Sequence, residues 1–504
     1  MSILKKYMTG AGTLAFQSAF QRAVGIFTNA LIVRIVNPVQ FGIFNAVTTT
    51  ASSAYGMARL GIDAALHVHT AGQDPAEAKS RMLGAGAVVF AFMGVGTGAV
   101  CYFASGRLAV GLFGNAALAG WLKFSAVLAL LQWISQLFYT TLVGFAQYAR
   151  FSTAMTLFGV FQVVILLAGA AFGGGLKTIL VAVVLSQGVL IATYFHFTRL
   201  TLAEQGVGLS LVSFGRNLAE ILRIGFPIYA AGLIGIPVNY YLQATLSRLY
   251  GIESLGYLRV MTTVNSLINF LPLSVAAASI STFTELWSDP DARSGRFMAY
   301  TLFNIKAVWF FGLLAAVLAF SVLPFFVSWI FGKAYLPALQ AAQISLFSAA
   351  LYGVMNALSH FFFSQKKSNW VFLQILVQSV VCLLTGLYLI PALGLVGFAL
   401  SEFLGLAVMC AFFICLGFLT RSKPRGQTKR LTLLLGVTVA LSIGASTTFS
   451  GGSEHNGLLH LAFGLPFFAA LLFFGYHLFM DATEKEHLRR IFADHLWGGK
   501  AARP

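Results

Sequence analysis

From Gly10 to Met480 the chain runs as long apolar stretches separated by short polar joints. A helix that crosses a bilayer needs about 20 predominantly apolar residues, and about fourteen stretches here reach that length. The pattern predicts helices over residues 13–36, 41–63, 82–104, 122–145, 152–173, 176–198, 224–246, 254–281, 300–325, 339–363, 369–390, 394–419, 431–450 and 457–480. The joints are too short for a separate soluble domain. The expected fold class is therefore all-α and polytopic. No small-residue cleavage site follows the first apolar stretch, so it is expected to remain as a helix.

Within these spans the polar residues fall on stripes. Helical spacing in the first span puts Gln17, Gln21, Gly25 and Thr28 on one face, with Arg22 and Asn29 at its edge. The second span carries Asn45, Thr48, Thr49, Ser52, Tyr55, Arg59 and Asp63, and the eighth carries Arg259, Thr262, Thr263, Ser266 and Asn269. Lipid leaves such groups unsatisfied, so they are expected to face a bundle interior or a wet cavity.

The chain also repeats itself. RIVNPVQFGIFNAVTTT from Arg34 aligns without gaps on RLYGIESLGYLRVMTTV from Arg248, pairing Gly42 with Gly256 and Thr48 with Thr262. FGNAALAG from Phe113 echoes FGKAYLPA from Phe331 at a nearly equal offset. The alignment pairs Asn45 with Arg259 and Ser52 with Ser266, so the same polar stripe recurs in both halves and could line one central cavity. The expected organisation is a six-helix lobe over 1–200, a second over 201–422, and a basic linker, two extra helices and a tail over 423–504. An even helix count per half gives both halves one orientation, related by a pseudo-twofold axis along the membrane normal. Repeated membrane halves usually make transporters with the site between them.

Composition agrees: 58% of residues are hydrophobic and only 9% charged, with a mean hydropathy of +0.83. The net charge of +17 collects in joints on one side, as the positive-inside rule requires, which places both termini in the cytoplasm. There is no basic domain and no basic–aromatic motif for nucleic acid. Cys101, Cys382, Cys410 and Cys415 lie in spans without CxxC spacing, so neither a disulfide framework nor a metal site is expected. No cofactor motif is present; in GQDPAEAKS, Ala78 stands where a phosphate loop needs glycine. The outer joints are short and carry little acid besides Glu253 and Glu454, which argues against a membrane glycosyltransferase or polymerase. Gly94 with Gly98 and Gly169 with Gly173 read as close-packing pairs. Pro227, Pro237 and Pro272 mark the seventh and eighth spans as those that bend.

Arg22, Arg59, Arg259 and Lys306 are the cations within spans, against Asp63 and Glu402. Asp63 follows Arg59 by one helical turn, so the two could neutralise each other; Arg59 and Lys306 could also snorkel. Arg22 has no acid in its helix. A net-positive cavity favours an anionic substrate, and guanidinium suits bidentate binding of phosphate oxygens.

GAGTLAFQSAFQRAVGIFTNALIVRIVNPVQFGIFNAV, RIGFPIYAAGL, and LPFFVSWIFGKAYLPALQAAQISLF with SQKKSNW and LIPALGLVGFALSEFLG together resemble the polysaccharide-exporter, or O-antigen flippase, family, in the family's order over about the first 420 residues. That family shares a superfamily with multidrug extruders and the lipid II flippase. The resemblance implies a flippase for undecaprenyl-pyrophosphate-linked oligosaccharide in the bacterial inner membrane, working among membrane lipids and with a polysaccharide polymerase or other assembly proteins as partners. It also implies a substrate-binding role for Arg22, Arg59 and Arg259, which stand on the helices that carry arginines in the lipid II branch. Asp63 and Glu402 remain as ion-coupling candidates, and a cation-coupled drug extruder is the alternative.

Overall fold

A computed structural model describes residues 3–71, 75–230, 232–269, 283, 286–287, 296–365, 367–415 and 426–448. The expected span 457–480, the end of the eighth span and the basic tail lie outside the described residues. Every element among the described residues is helical, and eight of the helices are long and apolar enough to cross a membrane. The fold is all-α and polytopic, as the apolar pattern requires.

The helices are α1 (Ile3–Ile35), α2 (Pro38–Ala58), α3 (Ile62–Ala71), α4 (Ala76–Arg107), α5 (Leu118–Leu122), α6 (Phe124–Gly144), α7 (Tyr148–Ala171), α8 (Leu176–Glu204), α9 (Phe214–Ala230), α10 (Gly232–Tyr250) and α11 (Glu253–Ile268). They continue as α12 (Arg296–Phe326), α13 (Leu339–Ser364), α14 (Ser368–Leu393), α15 (Leu395–Cys415) and α16 (Gly426–Thr448). Local chemistry sets several boundaries. Asn37 caps α2 by accepting the Gln40 N–H at 2.9 Å, and Pro38 occupies the first helical position, where a missing N–H costs nothing. The expected second span, 41–63, is two helices: Leu60 and Gly61 take φ of 49° and 69° and end α2 before Ile62 starts α3. Apolar continuity across that joint concealed the break. The joint at the start of the fourth span is likewise split, into α5 and α6 around Lys123.

Two compact units emerge. The first takes residues 1–267, 327–341 and 372–401. In it α6 packs against α4 and α8, and α7 packs against α8 and α1. Ile62, Leu66, Met82, Phe90, Trp133 and Ile221 form one apolar core. Leu142, Phe151, Phe158, Leu190 and Tyr194 form another. The second unit takes 268–326, 342–371 and 402–504. There Trp309 of α12 donates its indole N–H to Thr438 Oγ1 of α16 at 3.1 Å, and Phe362 stacks on Trp370 with Phe413 packed against both.

The internal repeat has a structural counterpart inside the first unit. Gly42 of α2 and Gly256 of α11, partners in the sequence alignment, meet each other. A Cβ on Gly42 would overlap the Ile252 carbonyl and stand 3.3 Å from Gly256 N. A Cβ on Gly256 would stand 2.6 Å from Pro38 O and 3.2 Å from Gly42 N. Pro38 and Ile252 are themselves equivalent in the repeat, so the contacts are reciprocal. That reciprocity is the signature of a twofold contact. The second echo behaves the same way. One-turn π segments, Leu108–Leu112 and Val327–Phe331, close through Phe113 N–H to Leu108 O and Gly332 N–H to Val327 O. Each is followed by a left-handed glycine, Gly114 (φ 67°) and Gly332 (φ 93°). The repeat's two arginines cross over to these segments: Arg34 donates to Trp329 O at 2.5 Å, and the Arg248 side chain lies over Gly114.

Candidate functional site

The helices absent from the eight apolar spans include α1, α2, α10 and α11. Of these, α11 has only 16 described residues, and α1 and α11, each with a polar stripe, enclose the site. Between α1 and α11 lies a cavity of about 340 Å³ lined by Gln21, Arg22, Gly25, Ile26, Asn29, Arg259, Thr262, Thr263 and Ser266. At ~30 Å³ per water it has room for about ten waters. Among the described residues, two cations line it and no acid does.

Each wall residue is held. Gln21 donates its amide to Met155 O of α7 at 2.7 Å. Arg22 Nη1 donates to the Ser266 carbonyl oxygen across the cavity. Asn29 Nδ2 donates to Thr263 Oγ1 at 3.0 Å, and Asn29 Oδ1 accepts from Arg259 Nε at 3.5 Å. The Arg259 guanidinium also sits 5.7 Å from the centre of the Phe44 ring, a distance at which the ring face attracts a cation. Thr262, Thr263 and Ser266 return their hydroxyl protons to carbonyls of their own helix. This leaves the oxygen lone pairs of Thr262 and Ser266 available, while Thr263 Oγ1 already accepts from Asn29. Gly25 keeps the wall open, since a Cβ there would meet nothing within 4 Å.

Of the residues expected from sequence, the structure brings together Gln21, Arg22, Asn29, Arg259, Thr262 and Ser266. Gln17, on the same stripe of α1, points elsewhere. It is buried against α7, where its Oε1 accepts from Ser152 Oγ at 2.9 Å and Thr156 Oγ1 at 3.3 Å. The stripe on α2 also lies outside this cavity. Asn45 is buried and accepts from Thr49 at 3.4 Å; Thr48 bonds the Phe44 and Asn45 carbonyls; Ser52 accepts from Gln132 at 3.2 Å. Asn269 stands in the turn after α11.

Arg59 and Asp63 form an ion pair at 2.6 Å, reinforced by Arg59 Nε to Asp63 Oδ1 at 2.9 Å. They neutralise each other, and the pair spans the α2–α3 joint where one continuous helix was expected. Asp63 is 5% exposed, so the bond fixes the angle between the two helices. Lys306 is fully buried in α12, so it does not snorkel. Glu402 is half-buried on α15 and has no ion-pair partner among the described residues. Lys306 and Glu402 both belong to the second unit. Cys101, Cys382 and Cys410 are buried free thiols.

Thr263, expected on the polar stripe of the eighth span, completes the wall with Ile26, which the sequence had not singled out. Thr263 follows Arg259 by four residues and shares its face, a spacing visible in the sequence. Phe44 gave no such signal, because its role depends on where α2 crosses α11.

No family model matches the chain, and no curated protein matches it. Solved structures share its fold. The lipid II flippase MurJ in an inward closed conformation superposes with a TM-score of 0.68 at 14% identity, over 92% of this chain and 98% of that one. A MATE multidrug resistance transporter of the MOP superfamily, inward-facing, gives 0.65 at 17% identity, over 83% and 95%. A MOP superfamily transporter from Pyrococcus furiosus, described by the reverse polarity of its binding pocket, gives 0.56 at 15% identity, over 84% and 96%. At these identities the likeness establishes the fold alone, an all-α polytopic membrane fold shared with these structures.

Proposed function

We propose that this protein is a flippase that carries undecaprenyl-pyrophosphate-linked oligosaccharide across the bacterial inner membrane by alternating access. The observation that carries the reading is the acid-free cavity holding Arg22 and Arg259. In such a low-dielectric site two guanidinium groups favour an anion strongly and repel a cation. The pyrophosphate binds there. The cavity is too small for the sugar, which lies beyond these residues, and the lipid tail stays in the bilayer. The fold shared with a lipid II flippase supports the same reading.

With both termini cytoplasmic, the Arg34 and Arg248 ends of α1 and α10 face outward. The Gly42–Gly256 crossing then closes the cavity on its outer side, and release requires that crossing to part. The two repeats supply the two lobes that rock, and both faces of the cycle reuse one cavity. Arg59 acts through the α2–α3 angle instead of by touching the head group. Lys306 is kept as a second cationic group for the substrate, and Asn269 as a polar group for the sugar. Polymerase and assembly partners receive the product on the outer face.

A cation-coupled multidrug extruder is the second reading. Its supporting observations are the MATE fold and the half-buried Glu402 carboxylate. Asp63 serves it less well, being neutralised by Arg59. The two readings separate in one experiment. Arg22→Glu, expressed at wild-type level, abolishes surface polysaccharide under the flippase reading. Under the extruder reading, Glu402→Gln removes resistance to cationic dyes and Arg22→Glu leaves surface polysaccharide unchanged.

A further inference from the structure

Arg22 and Arg259 line one cavity, but they are held differently. Arg22 spends an Nη proton on the Ser266 carbonyl oxygen. Arg259 is held by its Nε, which donates to Asn29 Oδ1 at 3.5 Å. The bond belongs to a closed ring. Asn29 Nδ2 donates to Thr263 Oγ1 at 3.0 Å, and Thr263 Oγ1 donates to the Arg259 carbonyl oxygen at 2.7 Å. Asn29 is buried, and both ends of its amide are used, so the ring fixes which way the amide faces. The buried Phe44 ring backs the guanidinium from α2. Among the described residues, neither Nη group of Arg259 has a hydrogen-bond partner.

A guanidinium recognises a phosphate by presenting two parallel N–H groups to two oxygens. With Nε committed to Asn29, the edge left for that task is the Nη1–Nη2 pair. We infer that Asn29 is a positioning residue for anion recognition: it holds Arg259 by Nε so that the paired Nη edge is pre-organised for two oxygens of a phosphate or diphosphate group. The inference rests on the proposed flippase reading and adds to it the residue that sets the selectivity of the cavity. A neutral amide is essential to the role. Asp at this position has the same shape but would pair with Arg259 itself and cancel the charge that attracts the substrate. The neutral amide at position 29 thus preserves both positive charges of the cavity, where an aspartate would leave only that of Arg22.

The test uses the purified full-length protein and farnesyl pyrophosphate as probe, with binding measured by calorimetry. Wild type binds, and Arg259→Ala weakens binding at least tenfold. Asn29→Ala also weakens it about tenfold, whereas in an Arg259→Lys background the same change costs less than twofold, because an ammonium has no Nε–H to hold. Thr263→Val breaks the ring from its other side and weakens binding in the same direction, which keeps the test available if Asn29→Ala does not fold. Asn29→Asp binds more weakly than Asn29→Ala. The inference is overturned if Asn29→Ala and Thr263→Val both bind like wild type, or if Asn29→Ala costs the same factor with Lys as with Arg at position 259. In either case the cationic, anion-binding cavity stands. If wild type does not bind the probe, or Arg259→Ala binds as well as wild type, the flippase reading fails and the inference falls with it.

Discussion

The Gly42–Gly256 crossing makes a quantitative prediction. Alanine at position 42 puts a methyl group into the Ile252 carbonyl, whose carbon would be only 2.8 Å away. Alanine at 256 meets Pro38 O at 2.6 Å. Ordinary contact begins near 3.4 Å, so α2 and the start of α11 must part by a little under 1 Å for position 256 and by nearly twice that for position 42. Overpacking of this kind costs ~1–3 kcal/mol. The same change gains up to ~1 kcal/mol of helix propensity in every conformation, closed or open, so it cancels from the conformational balance. The closed crossing therefore loses ~1–3 kcal/mol relative to the open one, and one or two kcal/mol is a factor of about 5–30 in population. Gly25→Ala is the control, because its Cβ meets nothing within 4 Å. The assay replaces the four native cysteines, introduces Thr262→Cys in the cavity wall, and adds a membrane-impermeant thiol reagent outside intact cells. Labelling should rise severalfold for Gly42→Ala, less for Gly256→Ala, and not at all for Gly25→Ala. Wild-type labelling of a well-expressed Gly42→Ala protein, or equal labelling of all three, would refute the argument that this crossing closes the cavity.

Other predictions follow from single contacts. Arg59→Ala leaves the buried Asp63 carboxylate without its partner and should destabilise the protein by ~1–3 kcal/mol in thermal unfolding, with Arg59→Ala/Asp63→Asn recovering much of the loss. Gln17→Leu should lower thermal stability by ~1–3 kcal/mol through the lost Ser152 and Thr156 bonds yet leave probe affinity unchanged, since Gln17 faces α7. Trp309→Phe removes the bond to Thr438 and should cost ~1 kcal/mol, read as a lower midpoint in thermal unfolding. Probe binding at Arg22 and Arg259 should weaken with added salt less than binding to exposed lysines would, because buried charges are poorly screened; a steep salt dependence would contradict a cavity site.

The sequence made the helices legible because lipid imposes one rule, a long apolar run per crossing, and the chain obeys it nearly everywhere. It also exposed the repeat: Gly42 pairs with Gly256 on paper and meets it in space, and Phe113 and Phe331 both stand beside a π segment. What the pattern could not reveal was where a helix bends or what it touches. The α2–α3 joint keeps its apolar residues on either side of Leu60 and Gly61, so periodicity runs straight through it. The stripe Gln17–Gln21–Gly25 is a true face of α1, but it is wide enough to serve two neighbours, and Gln17 was claimed by α7 while Gln21 reaches both α7 and the cavity. Thr48 and Ser52 repeat Thr262 and Ser266 in sequence. Their hydroxyls instead serve α2's own carbonyls and Gln132, because the cavity lies against α1 and α11 alone. Spacing identifies a face; only packing identifies its partner.

The central claim, that the cationic cavity carries a lipid-linked pyrophosphate, is tested most directly by extracting lipids from a strain lacking this gene and complementing it with wild type or Arg259→Ala. The account predicts undecaprenyl-pyrophosphate oligosaccharide trapped on the cytoplasmic face, relieved by wild type and not by Arg259→Ala. Absence of any such accumulation, with surface polysaccharide unchanged, would contradict it.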